Sequence, residues 1–160
     1  METFTITTLL TKKDYTDYLF KEIYKKPLSI LETFLGLALI VTTCLDLFHI
    51  TGIYDDQPFL ELGLGILLLV SPTISVLIAR KSYYSNPSLS HDISYTFGED
   101  DIKVKGLTFD STLKWNHIVK LREFNGFLLL QSSKKSANFI KKDKLTQAQL
   151  DFIKDKVRQK

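Results

Sequence analysis

The sequence predicts a membrane α-helical hairpin joined to a cytoplasmic α+β module with an antiparallel sheet. Residues 28–50 and 59–79 are apolar runs, each long enough, at about 1.5 Å per residue, to cross a hydrocarbon core of roughly 30 Å. From residue 92 onward apolar and polar residues alternate with period two, and the chain ends in an amphipathic pattern. These observations divide the chain into a helical anchor and a strand-rich module.

Residues 1–27 predict a strand followed by a helix. Residues 4–10 are rich in β-branched residues, which favours a strand. Thr11 with Asp14 three residues later is a variant of the helix capping box, and Pro27 ends the following helix. Its aromatic residues place that helix either at the lipid headgroups or against the module. The sequence leaves open whether residues 4–10 join the sheet of the module.

The flanks of the two apolar runs predict their orientation. The loop 51–58 has no Lys or Arg, whereas basic residues precede the first run and follow the second: Lys12, Lys13, Lys21, Lys25, Lys26, Arg80 and Lys81. The positive-inside rule therefore predicts that both termini are cytoplasmic. Cys44 is the only cysteine, so an intramolecular disulfide is excluded, which agrees with a reducing cytoplasm.

Three carboxylates and one arginine lie within or at the end of the apolar runs. Glu32, Asp46 and Glu61 are each within four residues of the end of a run, so we expect them at the interfaces, where they can reach the headgroups. Glu32 and Arg80 lie at the same predicted end, which favours an ion pair between the helices. The alternative is a proton or ion path, because ionisable residues inside a membrane are candidates for function.

Small residues predict close packing of the two helices. Their spacing permits contact within one hairpin or between copies in a homo-oligomer. They are Gly36, Ala38, Thr42, Gly63, Gly65, Ser71 and Ser75. Pro72 is expected to kink the second helix.

A polar linker, residues 80–91, precedes the module at residues 92–160. About six short strands are predicted between residues 93 and 140. Asn125 and Gly126 predict a type I′ hairpin turn, since both residues tolerate positive φ. Thr146 and Gln149 form a capping box for a helix whose apolar face covers one side or end of the sheet.

Several segments of the module together resemble the YcxB-like family of bacterial membrane proteins. They are FGEDDI, LKWNHIVKLREF, FLLLQ and ANFIKKDKL. The Trp-x-x-Ile signature of the family falls on Trp115 and Ile118, whereas its Ile-Pro-Lys-Arg segment appears without proline at residues 140–143. The resemblance implies a bacterial inner membrane location and a pleckstrin-homology-like module closed by the C-terminal helix. It implies no catalytic residues.

No pattern predicts catalysis, a cofactor or a metal site. His49, His91 and His117 are scattered along the chain without the spacing of metal ligands. Phosphate-binding and nucleophile-elbow motifs do not occur. Nucleic-acid binding is not expected either, because the aromatic residues alternate as core residues do. We therefore expect a protein that is not an enzyme.

The charge of the module suggests its ligand. From His91 onward there are 14 Lys and Arg against 9 Asp and Glu. Five lysines lie close together and are the predicted site for anionic lipid headgroups or a partner protein: Lys134, Lys135, Lys141, Lys142 and Lys144. The alternative interpretation is that they are solvated lysines on turns. Rival functions are an immunity protein that protects the membrane against a toxin, and a channel or transporter subunit.

Overall fold

The structure is a computed structural model that describes residues 3–50, 52, 59–133 and 136–158. The chain folds as two compact units. One unit contains the residues up to Tyr15 together with those from Tyr83 onward, and we call it the module. The other unit is Thr16–Ser82, and we call it the hairpin.

The hairpin consists mainly of two long antiparallel helices. Helix α2 is Pro27–Leu47, with Pro27 in the first turn, where its missing N–H costs nothing. Helix α3 is Phe59–Arg80 and continues through Pro72. Both helices are long and apolar enough to cross a membrane. Positive φ at His49 follows the end of α2, and the predicted loop residues 51 and 53–58 lie outside the described residues.

Two glycines bring α2 and α3 into close contact. A Cβ on Gly36 would lie 2.7 Å from the carbonyl oxygen of Gly65 and 2.8 Å from the amide nitrogen of Leu69. A Cβ on Gly65 would lie 2.9 Å from Ile40. The predicted close packing therefore occurs at Gly36 and Gly65, whereas Gly63 is exposed and has open space around it.

The first strand of the chain belongs to the same sheet as the strands that follow the hairpin. Strand β1, Phe4–Thr8, pairs antiparallel with β2, Ile93–Phe97. Strands β3, Asp101–Lys105, and β4, Asp110–Lys114, complete a four-stranded sheet in the order β1-β2-β3-β4. The predicted module boundary at residue 92 therefore leaves out one strand, because pairing depends on register across the sheet and not on proximity in sequence.

A helix and two short helical turns connect the sheet to the long helices. Helix α1, Lys12–Tyr24, begins with the predicted capping box, in which Asp14 N–H donates to Thr11 Oγ1 and Thr11 N–H donates to Asp14 Oδ2. The predicted linker contains two short helices, α4 at Ser82–Ser85 and α5 at Pro87–Ser90. Tyr83 donates a hydrogen bond to the Leu10 carbonyl at 3.0 Å.

A second, three-stranded antiparallel sheet has the order β5-β6-β7. Its strands are β5, Lys120–Phe124, β6, Phe127–Gln131, and β7, Ala137–Lys141. The turn between β5 and β6 has positive φ at Asn125 and Gly126, as the Asn-Gly sequence predicts. All residues from Phe127 to Leu130 are buried, so both faces of β6 are covered.

The core of the module lies between the two sheets and the last helix. Helix α6, Gln147–Arg158, begins with the predicted capping box, in which Thr146 N–H donates to Gln149 Oε1 at 2.9 Å. Its residues Leu150 and Ile153 pack in one cluster with apolar residues of both sheets. In its described residues, the module is thus an α+β fold with seven antiparallel strands and a C-terminal helix.

Candidate binding surface

The structure describes three of the five lysines in the predicted site. Lys134 and Lys135 lie outside the described residues. Lys141, at the end of β7, is half-buried, with Nζ 5.8 Å from the centroid of the Phe127 ring. Lys142 is half-buried in a 3₁₀ turn, and Lys144 is exposed in the same turn. The three described lysines therefore have different surroundings.

Glu123 on β5 partly neutralises this region. Its carboxylate accepts a hydrogen bond from Lys142 at 2.7 Å, and Lys154 of α6 lies 3.2 Å from its other oxygen. Hydrogen bonds from Lys142 and Lys154 lower the pKa of Glu123, so the carboxylate stays charged at neutral pH. Lys142 consequently has a local counter-charge and is a weaker site for an external anion.

A shallow groove of about 320 Å³ lies beside two of the predicted lysines. It is lined by Asp14, Asn125, Gly126, Phe127, Lys141, Lys142 and Asp143. The two carboxylates balance the two lysines, so the groove has no strong preference for an anion or a cation.

The predicted signature residues are parts of the core. Trp115 is buried, and its indole N–H donates to the Gly98 carbonyl at 3.1 Å. The ring centroid of Trp115 is 5.9 Å from that of Phe152 on α6, in an edge arrangement. Ile118 is fully buried. Both residues join the sheets and α6, which agrees with a structural role.

A sequence model of the YcxB-like protein family matches residues 97–157 of the chain. The predicted YcxB-like resemblance is therefore confirmed for this region. The matched region begins at the end of β2 and includes β3 to β7 and most of α6. Comparison with curated proteins and with solved structures gave no match.

The YcxB-like region also carries a polar face on the four-stranded sheet. Pairing places Lys103 beside Thr96 and Thr112 in neighbouring strands, and Lys105 beside Ser94 and Asp110. Both lysines are exposed. On the neighbouring strand pair the row continues with hydroxyl groups, since Thr5 and Thr96 share a hydrogen bond of 2.8 Å, and Thr7 and Ser94 one of 3.1 Å.

The turn between β3 and β4 carries one exposed apolar side chain. Leu107 is 66% exposed and lies two residues after Lys105. Gly106 N–H donates to the Phe109 carbonyl at 2.9 Å, which closes the turn. The Phe109 ring lies directly against Gly106 and leaves no room for a Cβ there.

Lys103, Lys105 and Leu107 are not among the site residues that the sequence predicts. The alternation of Ile102, Lys103, Val104 and Lys105 was a usable signal, because it places both lysines on the solvent face of a strand. The neighbouring hydroxyl groups could not be found in this way, because they come from strands on both sides of β3.

The polar residues of the hairpin lie outside the YcxB-like region. Glu32 accepts a hydrogen bond from Ser71 at 3.3 Å, which joins α2 to α3. Among the described residues, Glu32 forms no ion pair with Arg80, because Glu32 lies level with Ser71 and Arg80 is about 13 Å further along α3. Asp46 is buried, and Glu61 and Arg80 are half-buried at opposite ends of α3.

Among the residues that the structure describes, no three His, Cys, Asp or Glu side chains come close enough to hold a metal ion. The described histidines therefore do not form a metal site with one another.

Proposed function

We propose that the chain is an integral protein of the bacterial cytoplasmic membrane whose α2 and α3 anchor a cytoplasmic binding module, and that it is not an enzyme. The observation that carries the proposal is the outward exposure of large apolar side chains along both long helices. They include Leu28, Ile30, Leu31, Phe34, Leu37, Val41, Leu60, Ile66, Leu67, Ile74 and Ile78. A soluble protein rarely exposes so large an apolar surface, whereas lipid tails would cover it.

The proposed orientation has both termini in the cytoplasm. It is supported by the basic residues before α2 and after α3 and by the absence of Lys and Arg from residues 51–58. Each long helix pairs its backbone N–H and C=O groups within itself, so the hairpin suits the lipid interior, which offers no hydrogen-bond partners.

The proposed binding role is supported by the architecture of the module. We propose that the module is the pleckstrin-homology-like domain that the YcxB-like resemblance implies, and its two antiparallel sheets packed with α6 support this. We propose that its ligand is a partner protein or the anionic headgroups of the membrane. Immunity against a toxin and a pore function stay predictions from the sequence.

Single-cysteine labelling tests the anchor and its orientation. In a Cys44→Ser background, Gly52→Cys should react with a membrane-impermeant maleimide in intact spheroplasts, because residue 52 lies in the external loop. Val119→Cys, on the exposed surface of the module, should react only after lysis. Reaction of Val119→Cys before lysis, or extraction of the chain by alkaline carbonate, would contradict the proposal.

The sole tryptophan gives a test of binding in the full chain. Trp115 can transfer energy to dansyl-labelled lipid in nanodiscs, so the transfer reports the distance of the module from the bilayer. If headgroups are the ligand, transfer should rise with anionic lipid and fall with salt, because screening weakens surface attraction. Transfer that is insensitive to lipid charge would leave a partner protein as the ligand.

A further inference from the structure

Lys103 and Lys105 are exposed and differ from three other lysines of the module, each of which has a carboxylate partner. Lys142 and Lys154 contact Glu123, and Lys156 contacts Glu99. Within the described residues, Lys103 and Lys105 take part in no ion pair, although Asp110 lies opposite Lys105 across the strands. They project from one face of β3, two residues apart, and therefore present two neighbouring positive charges to the solvent.

Three of the four residues that pair with these two lysines carry hydroxyl groups, and the fourth, opposite Lys105, is Asp110. Ser94 and Thr96 lie on β2, and Thr112 lies on β4. Hydroxyl side chains are short and can donate hydrogen bonds, so the two ammonium groups extend beyond them, and Asp110 is the acidic neighbour of Lys105. Such a surface suits phosphate oxygens, which accept hydrogen bonds and carry negative charge.

Leu107 presents an apolar side chain next to this positive face. The closed turn and the Phe109 ring against Gly106 hold the backbone, and the Leu107 side chain remains 66% exposed. One leucine flanked by lysines is too small to be the apolar centre of a protein interface, which takes about 800 Å² per partner. It is sufficient to enter the interfacial region of a bilayer while the lysines stay among the headgroups.

The strand register places this turn at the end of the sheet where β1 ends and β2 begins, which is where the chain leaves for the long helices and returns from them. Thr8, the last residue of β1, pairs with Ile93, and Ser94 pairs with Lys105. The turn after Lys105 therefore lies at the end of the sheet where β1 ends and β2 begins. The residues between Arg80 and Ile93 span at most about 40 Å when extended, so this strand end stays within reach of a bilayer that α3 crosses.

We propose that the turn between β3 and β4 docks on an anionic membrane surface, with Leu107 inserted and with Lys103 and Lys105 bound to lipid phosphates. This rests on the proposed function, since the hairpin supplies the membrane. It moves the contact away from the lysines at residues 134–144. Two lysines near an anionic surface should together favour the docked state by about 30-fold.

The full chain in nanodiscs tests this directly. In a Cys44→Ser background, an environment-sensitive fluorophore at Leu107→Cys should shift to the blue and resist aqueous quencher in phosphatidylglycerol nanodiscs, but not in phosphatidylcholine nanodiscs. Val119→Cys is the matched control, because Val119 is 69% exposed and Leu107 66%. Its fluorophore should remain in water with both lipids.

Substitutions identify the residues that bind. Lys103→Gln with Lys105→Gln should lower the docked-to-undocked ratio by about 30-fold, measured by the Leu107 fluorophore and by energy transfer from Trp115 to dansyl lipid. Lys142→Gln with Lys144→Gln, which also removes two charges, should change the ratio much less.

The outcomes separate this inference from the proposed function. A larger effect of Lys142 and Lys144 than of Lys103 and Lys105 would overturn the inference and leave the anchored binding module intact. A Leu107 fluorophore that stays in water in both nanodiscs would also overturn the inference. A partner protein would then be the ligand of this face. A chain that does not integrate into nanodiscs would overturn both proposals.

Discussion

In the module most large apolar side chains are buried, whereas in the hairpin most of them are exposed and most of the buried residues of the two long helices are small or polar. Ile102, Leu128 and Ile140 of the module are fully buried. In α2 the buried residues are Ser29, Gly36, Thr43 and Asp46. The same hydrophobic effect explains both arrangements if the module is surrounded by water and the hairpin by lipid, because each part then exposes what its surroundings solvate.

The two regions also differ in what holds their elements together. In the module, apolar side chains from seven strands and α6 fill one core. In the hairpin, two glycines allow the backbones to approach, and hydrogen bonds such as Ser71 to Glu32 join the helices. Packing in the module depends on large side chains that fill the core, whereas packing in the hairpin depends on glycines that have no side chain.

The largest expected effect comes from the same substitution made in each region. Leu130→Ala removes a fully buried side chain of the module and should lower its free energy of unfolding by about 2–5 kcal/mol. Leu37→Ala removes a side chain of α2 that is 53% exposed and should leave that free energy unchanged. Chemical denaturation of the reconstituted chain, followed by Trp115 fluorescence, measures both. Equal effects would contradict the difference between the regions.

The second prediction concerns the strand that precedes the hairpin. Ile6 on β1 is 7% exposed and lies in the core of the module, so Ile6→Ala should destabilise it by about 2–3 kcal/mol. Thr7→Ala, on the exposed face of the same strand, is the matched control and should change stability by no more than about 0.5 kcal/mol. If Ile6→Ala does not change the free energy of unfolding measured by Trp115 fluorescence, β1 does not contribute to the folded module.

Much of this fold could be predicted from local sequence signals. The capping boxes at Thr11 and Thr146, the Asn125-Gly126 turn and the two apolar helices each depend on residues within a few positions of one another. The pairing of β1 with β2 could not be predicted in this way, because Phe4 pairs with Phe97 across the whole hairpin.

The candidate site was harder to predict than the fold. Five lysines near one another in sequence suggested one basic surface, but Lys142 contacts Glu123 from another strand, and Lys141 lies over the Phe127 ring. Charge in a sequence segment does not reveal such partners. The sequence alternation places Lys103 and Lys105 on one face of a strand, but the residues beside them depend on strand register and became visible only in the structure.

The third prediction tests the close approach of the two long helices. Gly36→Ala places a Cβ against the backbone of Gly65 and Leu69, which cannot move without separating α2 from α3. The resulting overpacking should destabilise the hairpin by about 1–3 kcal/mol. Energy transfer between dyes on α2 and α3 in nanodiscs should fall. Gly63→Ala, with no atom within 4 Å of its added Cβ, should leave the transfer unchanged, and a fall in both variants would refute the contact.

The smallest expected effect is the contribution of Glu123 to the pH dependence of the module. Hydrogen bonds from Lys142 and Lys154 lower the pKa of Glu123 below its ordinary value of 4.5. The stabilisation is therefore fully present above pH 4.5 and is lost as pH falls through the lowered pKa of the folded state. Because the side chains are partly exposed, it should amount to less than about 1 kcal/mol.

Glu123→Gln measures this contribution. The difference in unfolding free energy between the unsubstituted chain and Glu123→Gln, followed by Trp115, should be largest at neutral pH and should shrink below pH 4.5, where protonation removes the charge that Gln lacks. The same substitution combined with Lys142→Gln and Lys154→Gln should have little effect at any pH, since the partners of the carboxylate are then gone. A difference that persists unchanged in acid would mean that Glu123 acts through packing, in which case the ion pairs would not be what joins α6 to β5.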